Sequence, residues 1–275
     1  VTSGGLLGTR RILKPWGRRD LPAPFASPCG EAVGEIWFDR PPPLEDILTK
    51  YLFTAEQLSV QVHPLAEHCP VGAGKDECWL VTEAVPGAKL AIGFREEVDR
   101  GAIRSAALDG SIEDMLDWRS VAVDDFLYVP SGTVHAIGPG LTLVEVQQNN
   151  DVTFRLYDYG RPRELHLDEA MQSIRTYPHP AELCRKVDPA CSQVLVDGPH
   201  YSVVQVVGAP DAEVSAYRGA VQLIPLTGYC KTGNDIVDPG ESGWAREVDD
   251  IDFTASERCL LVFSPLRPMS PPVLP

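Results

Sequence analysis

No stretch of the chain approaches the ~20 consecutive apolar residues that a membrane-crossing helix needs, so no such span is expected. The N-terminus, VTSGGLLGTRRILKPWG, lacks the charged-then-apolar layout of a secretory signal. Positive charge is scarce: 24 Lys and Arg face 39 Asp and Glu, leaving a formal net charge of −15. No basic stripe runs along any element, which argues against nucleic acid as a partner, because duplex binding relies on clustered Lys and Arg. The seven cysteines are odd in number and scattered, with no CxxC. A disulfide framework or a Cys-ligated metal is therefore unsupported, and reduced thiols in a cytoplasm are the expected state. No repeat of solenoid length is visible, and the single low-complexity tract, SPLRPMSPPVLP, reads as an extended C-terminal tail.

What the chain does contain is turn residues: 25 Pro and 23 Gly punctuate many short runs of β-like composition. Among these runs are EAVGEIWF, LSVQVHP, ECWLVTEA, KLAIGF, LTLVEVQQ, YSVVQVVGA and ERCLLVFSP. Many short strands separated by turns predict an all-β sandwich or jelly roll with a few helices. EEVDRGAIRSAALDGSIEDMLDW has spacing suited to two short helices broken at Gly110, an insertion near residues 96–118. A further helix is predicted from about Leu167 to Arg175, closed off by Pro178. The segment 176–192 separates a longer first half from a shorter second one. The expected division is a domain over 1–160, a connecting helix and linker over 161–192, and a second β unit over 193–275.

The most informative run is Leu58-Ser59-Val60-Gln61-Val62-His63-Pro64. Side chains alternate along a strand, so Leu58, Val60 and Val62 are expected on one face and Ser59, Gln61 and His63 on the other. That second face suits the wall of a polar pocket. Glu77 opens another β-like run after Gly74-Lys75-Asp76, and His135 follows a Pro-Ser-Gly turn. Two His, one Glu and one amide oxygen make a reasonable shell for Zn²⁺, Fe²⁺ or a similar divalent ion. Taken singly, a His near a turn is more often structural, and Gly-Lys-Asp-Glu could be a solvated loop. Glu145 alternates with Val144 and Val146. Thr153, Arg155 and Tyr157 are expected on the face opposite Val152, Phe154 and Leu156. An Arg between apolar neighbours in a strand is costly unless paired, here with Asp151 or Asp158, or serving a site. His68 reads as a solvent-exposed loop His or an extra ligand, and His166, His179 and His200 as structural.

KPWG (Lys14–Gly17), GEIW (Gly34–Trp37), LSVQVHP, GKDECW, FLYVPSGTVHAIG and VEVQQNNDVTFRLYDYGR occur in that order. In these motifs the chain resembles the type I mannose-6-phosphate isomerases, especially short bacterial members, up to about Arg175. The resemblance implies a cupin jelly roll, followed by a second, degenerate β-sandwich half. It also implies one divalent metal ion, most often zinc, on Gln61, His63, Glu77 and His135. Glu145 and Arg155 match active-site positions, and Lys50, Ser59 and Lys75 match positions lining a sugar-phosphate pocket. The implied activity interconverts mannose 6-phosphate and fructose 6-phosphate through a cis-enediolate, with Arg155 steadying charge and Glu145, or else Lys75, moving the proton. The chain departs from the family after the His-Pro, where Leu65-Ala66-Glu67-His68 replace acidic residues. An acidic protein repels an anionic sugar phosphate at long range, so such a substrate requires cations converging locally. Two other readings are an Fe²⁺-dependent cupin oxygenase and a non-catalytic sugar-binding cupin.

Overall fold

The computed structural model describes residues 4–25 and 30–265. Cys29 and the C-terminal tail from Leu266 onward lie outside these residues. The architecture is all-β with a few helices, as the density of turns predicts. Four sheets are present among the described residues. A seven-stranded sheet runs in the order Cys184–Lys186, Asp125–Val129, Glu77–Ala84, Leu141–Gln148, Ile47–Phe53, Val33–Phe38 and Thr9–Arg18. A five-stranded sheet of Phe154–Tyr157, Val60–Val62, His135–Ile137, Lys89–Phe94 and Leu116–Ser120 completes the first jelly roll. The second β unit is a six-stranded sheet with a three-stranded one.

The seven-stranded sheet is buried on both faces, and alternation along its strands divides the labour. Tyr51, Phe53, Cys78, Leu80, Phe126, Tyr128, Val144 and Val146 pack against Leu195, Val196, Val203, Ile224, Leu260 and Val262 of the six-stranded sheet. The opposite face sends Leu52, Trp79, Val81, Leu127, Val129 and Leu143 against Leu90, Ile92 and Ile137 of the five-stranded sheet. Each core side chain of this size withdrawn from water contributes about 1.5–3 kcal/mol, which holds the layers in register.

Two strands cross the division expected from sequence. Gly4–Leu6 pairs with Gly243–Ala245 in the six-stranded sheet, and Cys184–Lys186 extends the seven-stranded sheet beside Asp125–Val129. Both cover an edge that would otherwise leave backbone groups unpaired.

The helices fall where periodicity places them, at Arg100–Asp109, Ile112–Met115 and Leu167–Ser173. Asp99 caps the first, accepting from the Gly101 and Ala102 amides at 2.8 and 3.2 Å. Gly110 ends it in the left-handed conformation, φ 88°, where a side chain would be strained. Ile103, Ala107, Ile112 and Ala170 pack against Val60, Val62, Phe154 and Leu156 on the outer face of the five-stranded sheet. No described helix is long and apolar enough to cross a membrane.

Candidate metal and charge-relay site

Between the five- and seven-stranded sheets lies a narrow polar cleft of about 60 Å³. Strand register builds it in rows. Arg155 pairs with Gln61, and Gln61 with His135, across three neighbouring strands. On the facing sheet Trp37, Lys50, Glu145 and Trp79 form one row, with Gln147 and Glu77 in the next. Residues far apart in sequence are thus brought face to face by alternation and pairing alone.

Glu77 is anchored by the turn before His135. Asp76 accepts from the Ser131 amide and hydroxyl at 2.9 and 2.7 Å and from the Tyr128 hydroxyl at 2.6 Å, while the Lys75 amide donates to Ser131 Oγ at 2.8 Å. Gly132, φ 86°, closes the turn where a β-carbon would sit 2.6 Å from the Ser173 carbonyl. The Gly-Lys-Asp-Glu segment is therefore a buried brace and not a solvated loop.

His63, Glu77 and His135 are buried, and their ligand atoms lie within 4.8 Å of one another. His63 Nε2 is 3.3 Å from Glu77 Oε2, and His135 Nε2 is 3.5 Å from Glu77 Oε1. The backs of both rings face main-chain carbonyls: His63 Nδ1 meets Val152 O at 3.1 Å and His135 Nδ1 meets Thr133 O at 3.0 Å. With each Nδ1 donating to its carbonyl, each Nε2 keeps a lone pair aimed at the common space, the arrangement metal-binding imidazoles use. Burial pushes the His135 imidazole down to about 3, so it stays neutral, as a ligand must be. Burial works to raise the Glu77 carboxyl, but Lys75 and His63 outweigh it and hold Glu77 well below the usual carboxylate range. A cation already stands among these atoms: Lys75 Nζ lies 2.9 Å from Glu77 Oε2 and 3.0 Å from His63 Nε2. The group could hold a metal ion, by donor chemistry and because it already attracts positive charge. Gln61 adjoins it, with Nε2 3.1 Å from His135 Nε2 and Oε1 accepting from Ser59 Oγ at 3.0 Å.

From here charges alternate outward. Glu145 Oε1 is 3.8 Å from Lys75 Nζ and 2.9 Å from Lys50 Nζ, and Glu145 Oε2 accepts from Trp79 Nε1 at 3.1 Å. Burial, partly offset by Lys50, raises the Glu145 carboxyl. Burial alone would lower the Lys50 ammonium, yet Glu145 and Glu35 reverse that and raise it. Glu35 meets Lys50 at 3.9 Å and Lys14 at 3.5 Å and accepts from Trp37 Nε1 at 2.6 Å.

Arg155 lines the same cleft, half exposed, at its mouth. Among the described residues neither Asp151 nor Asp158 forms an ion pair with it, although both carboxylates lie near enough to be felt; Asp158 is engaged by Arg161 at 3.0 Å and Arg163 at 2.5 Å. Burial and the nearby Arg163 lower its guanidinium. His166 Nδ1 accepts from the Arg155 amide at 3.2 Å and so steadies the strand that carries it.

Two face assignments need correction. Leu58 precedes the strand proper and packs with Trp16 and Trp79 on the cleft side, away from Val60 and Val62. Tyr157 follows an irregularity between Arg155 and Tyr157 and turns to the helix side. His68 is half-buried in the turn Ala66–His68, not exposed, and lies outside the His63–Glu77–His135 group. Lys14, Glu35 and Arg163 were not anticipated in the cleft, nor was Trp37 as the donor that holds Glu35. Alternation in GEIW, with Ile36 facing the core, was the signal available for Glu35 and Trp37.

Comparison with known proteins agrees with this fold. No family model matches the chain. Mannose-6-phosphate isomerase ManA of Bacillus subtilis is 38% identical over 151 residues, covering 51% of this chain and 46% of the relative. Mannose-6-phosphate isomerase of Streptococcus mutans is 36% identical over 202 residues, 68% of this chain and 63% of the relative. This chain is similar in sequence to mannose-6-phosphate isomerases. The sequence match spans roughly half the length of these isomerases, and less than two thirds of either. The fold match is broader. The crystal structure of the mannose 6-phosphate isomerase from Bacillus subtilis superposes with a TM-score of 0.76 at 22% identity, covering 95% of this chain and 99% of that one.

Proposed function

We propose that the protein is a metal-dependent aldose–ketose isomerase that interconverts mannose 6-phosphate and fructose 6-phosphate. The observation that carries this is the convergence of His63, Glu77 and His135 with Lys50, Lys75, Glu145 and Arg155 in one cleft of a protein related to such isomerases. We read Gln61, His63, Glu77 and His135 as the ligands of one divalent ion, zinc by the N/O donor set. A half-turn of the Gln61 amide would present its oxygen to the shared space while Ser59 still bonds the amide. When bound, such an ion supplies Lewis acidity toward a sugar oxygen.

The chain's own residues do the rest in this reading. Glu145 moves the proton between C1 and C2 of the open-chain sugar. Support for that comes from its burial, which raises the carboxyl toward neutrality, and from Trp79 and Lys50, which fix its orientation. Arg155 offsets the negative charge of the cis-enediolate, a role suited to a guanidinium without a carboxylate partner at the cleft mouth. Lys50 and Lys75 supply the local positive charge that a sugar phosphate needs near a protein of net charge −15. Free thiols at Cys78, Cys230 and Cys259 suit a reducing compartment, the cytoplasm. The test is turnover of hexose phosphates by zinc-loaded protein in D₂O. Fructose 6-phosphate should form from mannose 6-phosphate with deuterium at C1 or C2 and no nucleotide or oxygen requirement. Absence of product from mannose 6-phosphate and from related aldose phosphates would remove the isomerase reading.

A further inference from the structure

Lys75 is placed unlike any other cation of the cleft. Its Nζ touches two of the three atoms that converge at the candidate metal site, Glu77 Oε2 at 2.9 Å and His63 Nε2 at 3.0 Å. A zinc ion bonded to the same oxygen and nitrogen would stand about 2.0–2.2 Å from each. Ion and ammonium would then claim the same lone pairs from the same side, with like charges closer than hydrogen-bond partners usually are. They cannot share the berth.

The cleft provides the ammonium with one other place. Glu145 Oε1 is 3.8 Å from Lys75 Nζ, so a displacement on the order of 1 Å would make a close ion pair within normal hydrogen-bond length. The main chain need not move, because the Lys75 amide is held by Ser131 Oγ and the side chain has four rotatable bonds. We propose that Lys75 is a built-in cation which the metal ion displaces, so that metal loading transfers the ammonium from Glu77 to Glu145. The inference rests on the metal-site reading above and extends it. The protein keeps its buried carboxylate paired before loading. Loading then delivers a second ammonium to Glu145, beside Lys50, and couples metal occupancy to the charge around the proposed proton carrier.

Lys50 supplies the control. It is buried in the same cleft with the same charge, yet it touches Glu145 and Glu35 and neither Glu77 nor His63. Zinc affinity should be measured on full-length protein by competition with a fluorescent chelator, for wild type, Lys75→Met, Lys50→Met and Glu145→Gln. Lys75→Met should bind zinc at least about tenfold tighter than wild type and clearly tighter than Lys50→Met, since only Lys75 sits in contact range of the donors. Glu145→Gln should bind more weakly, having lost the carboxylate that receives the ammonium. Equal gains in the two lysine variants would reduce the effect to net charge and overturn the proposal, as would weaker binding by Lys75→Met. If Lys75→Met does not fold, Lys75→Gln, uncharged but able to bond Glu77, gives the same comparison. Wild type and His63→Ala binding zinc equally poorly would instead remove the metal site itself, and this inference with it.

Discussion

Replacing Lys50 with Met should destabilise the protein far more than loss of a surface lysine. Lys50 Nζ is 2.9 Å from Glu145 and 3.9 Å from Glu35, and all three side chains are buried. At an effective dielectric of about 20 these contacts correspond to attractions of roughly 6 and 4 kcal/mol. The cost of withdrawing the charges from water cancels much of that, but it has already been met in the folded wild type. Removing one partner leaves Glu145 and Glu35 buried with less compensation, and such a break typically costs 3–5 kcal/mol. In a chain of this size that lowers the melting temperature by roughly 10 °C. The assay is thermal and urea unfolding of wild type, Lys50→Met, Glu145→Gln and the double variant. The double variant should recover part of the loss, because it removes the orphaned carboxylate along with the ammonium. Lys50→Met unfolding within about 1 kcal/mol of wild type, or strictly additive losses, would refute the reasoning.

Arg155→Ala should lower kcat by at least about 100-fold while zinc content stays at the wild-type level, since the hydrogen bonds of Arg155 go to His166 and Glu164 and not to His63, Glu77 or His135. His135→Ala should lower both, as metal analysis alongside kinetics would show. His179 is buried, with Arg119 and Arg175 nearby, and burial lowers its imidazole from 6.5 to about 4. Between these values the unfolded chain binds the proton more readily, so the stability contributed by neutral His179 is present above pH 6.5 and lost as pH falls toward 4, at most about 3 kcal/mol. Urea midpoints should fall through that window and fall less steeply in His179→Gln; identical slopes would assign the acid sensitivity elsewhere.

Much of the cleft was legible because strand alternation is a local property. Val144-Glu145-Val146 and Gln61-Val62-His63 announce which side chains point inward before any partner strand is known, and the break at Gly110 announces two helices. What local pattern could not supply is pairing. Lys14 and Glu35 reach the cleft because Thr9–Arg18 lies beside Val33–Phe38 and that strand beside Ile47–Phe53, and nothing in these segments specifies those neighbours. Leu58 and Tyr157 were assigned to the wrong faces for a related reason. One lies just outside a strand of three residues, and the other follows an irregular step in register. A strict period of two holds only while the ladder is regular. Lys75 was visible as a candidate, but its place among the candidate metal donors depends on the buried bracing of Asp76 by Ser131 and Tyr128.

The seven-stranded sheet is a party wall, and that bears on how the protein could ever be simplified. Thr49 Oγ1, next to Lys50, accepts from Gln222 Nε2 of the C-terminal half at 2.5 Å, so the strand that presents Lys50 leans on a residue 173 positions away. Every proposed ligand and catalytic group precedes residue 160, yet a fragment ending there would turn Phe38, Tyr51, Phe126, Tyr128, Val144 and Val146 out to water. The C-terminal sheet holds no proposed chemistry, but it is the apolar backing of the strands that carry the polar face.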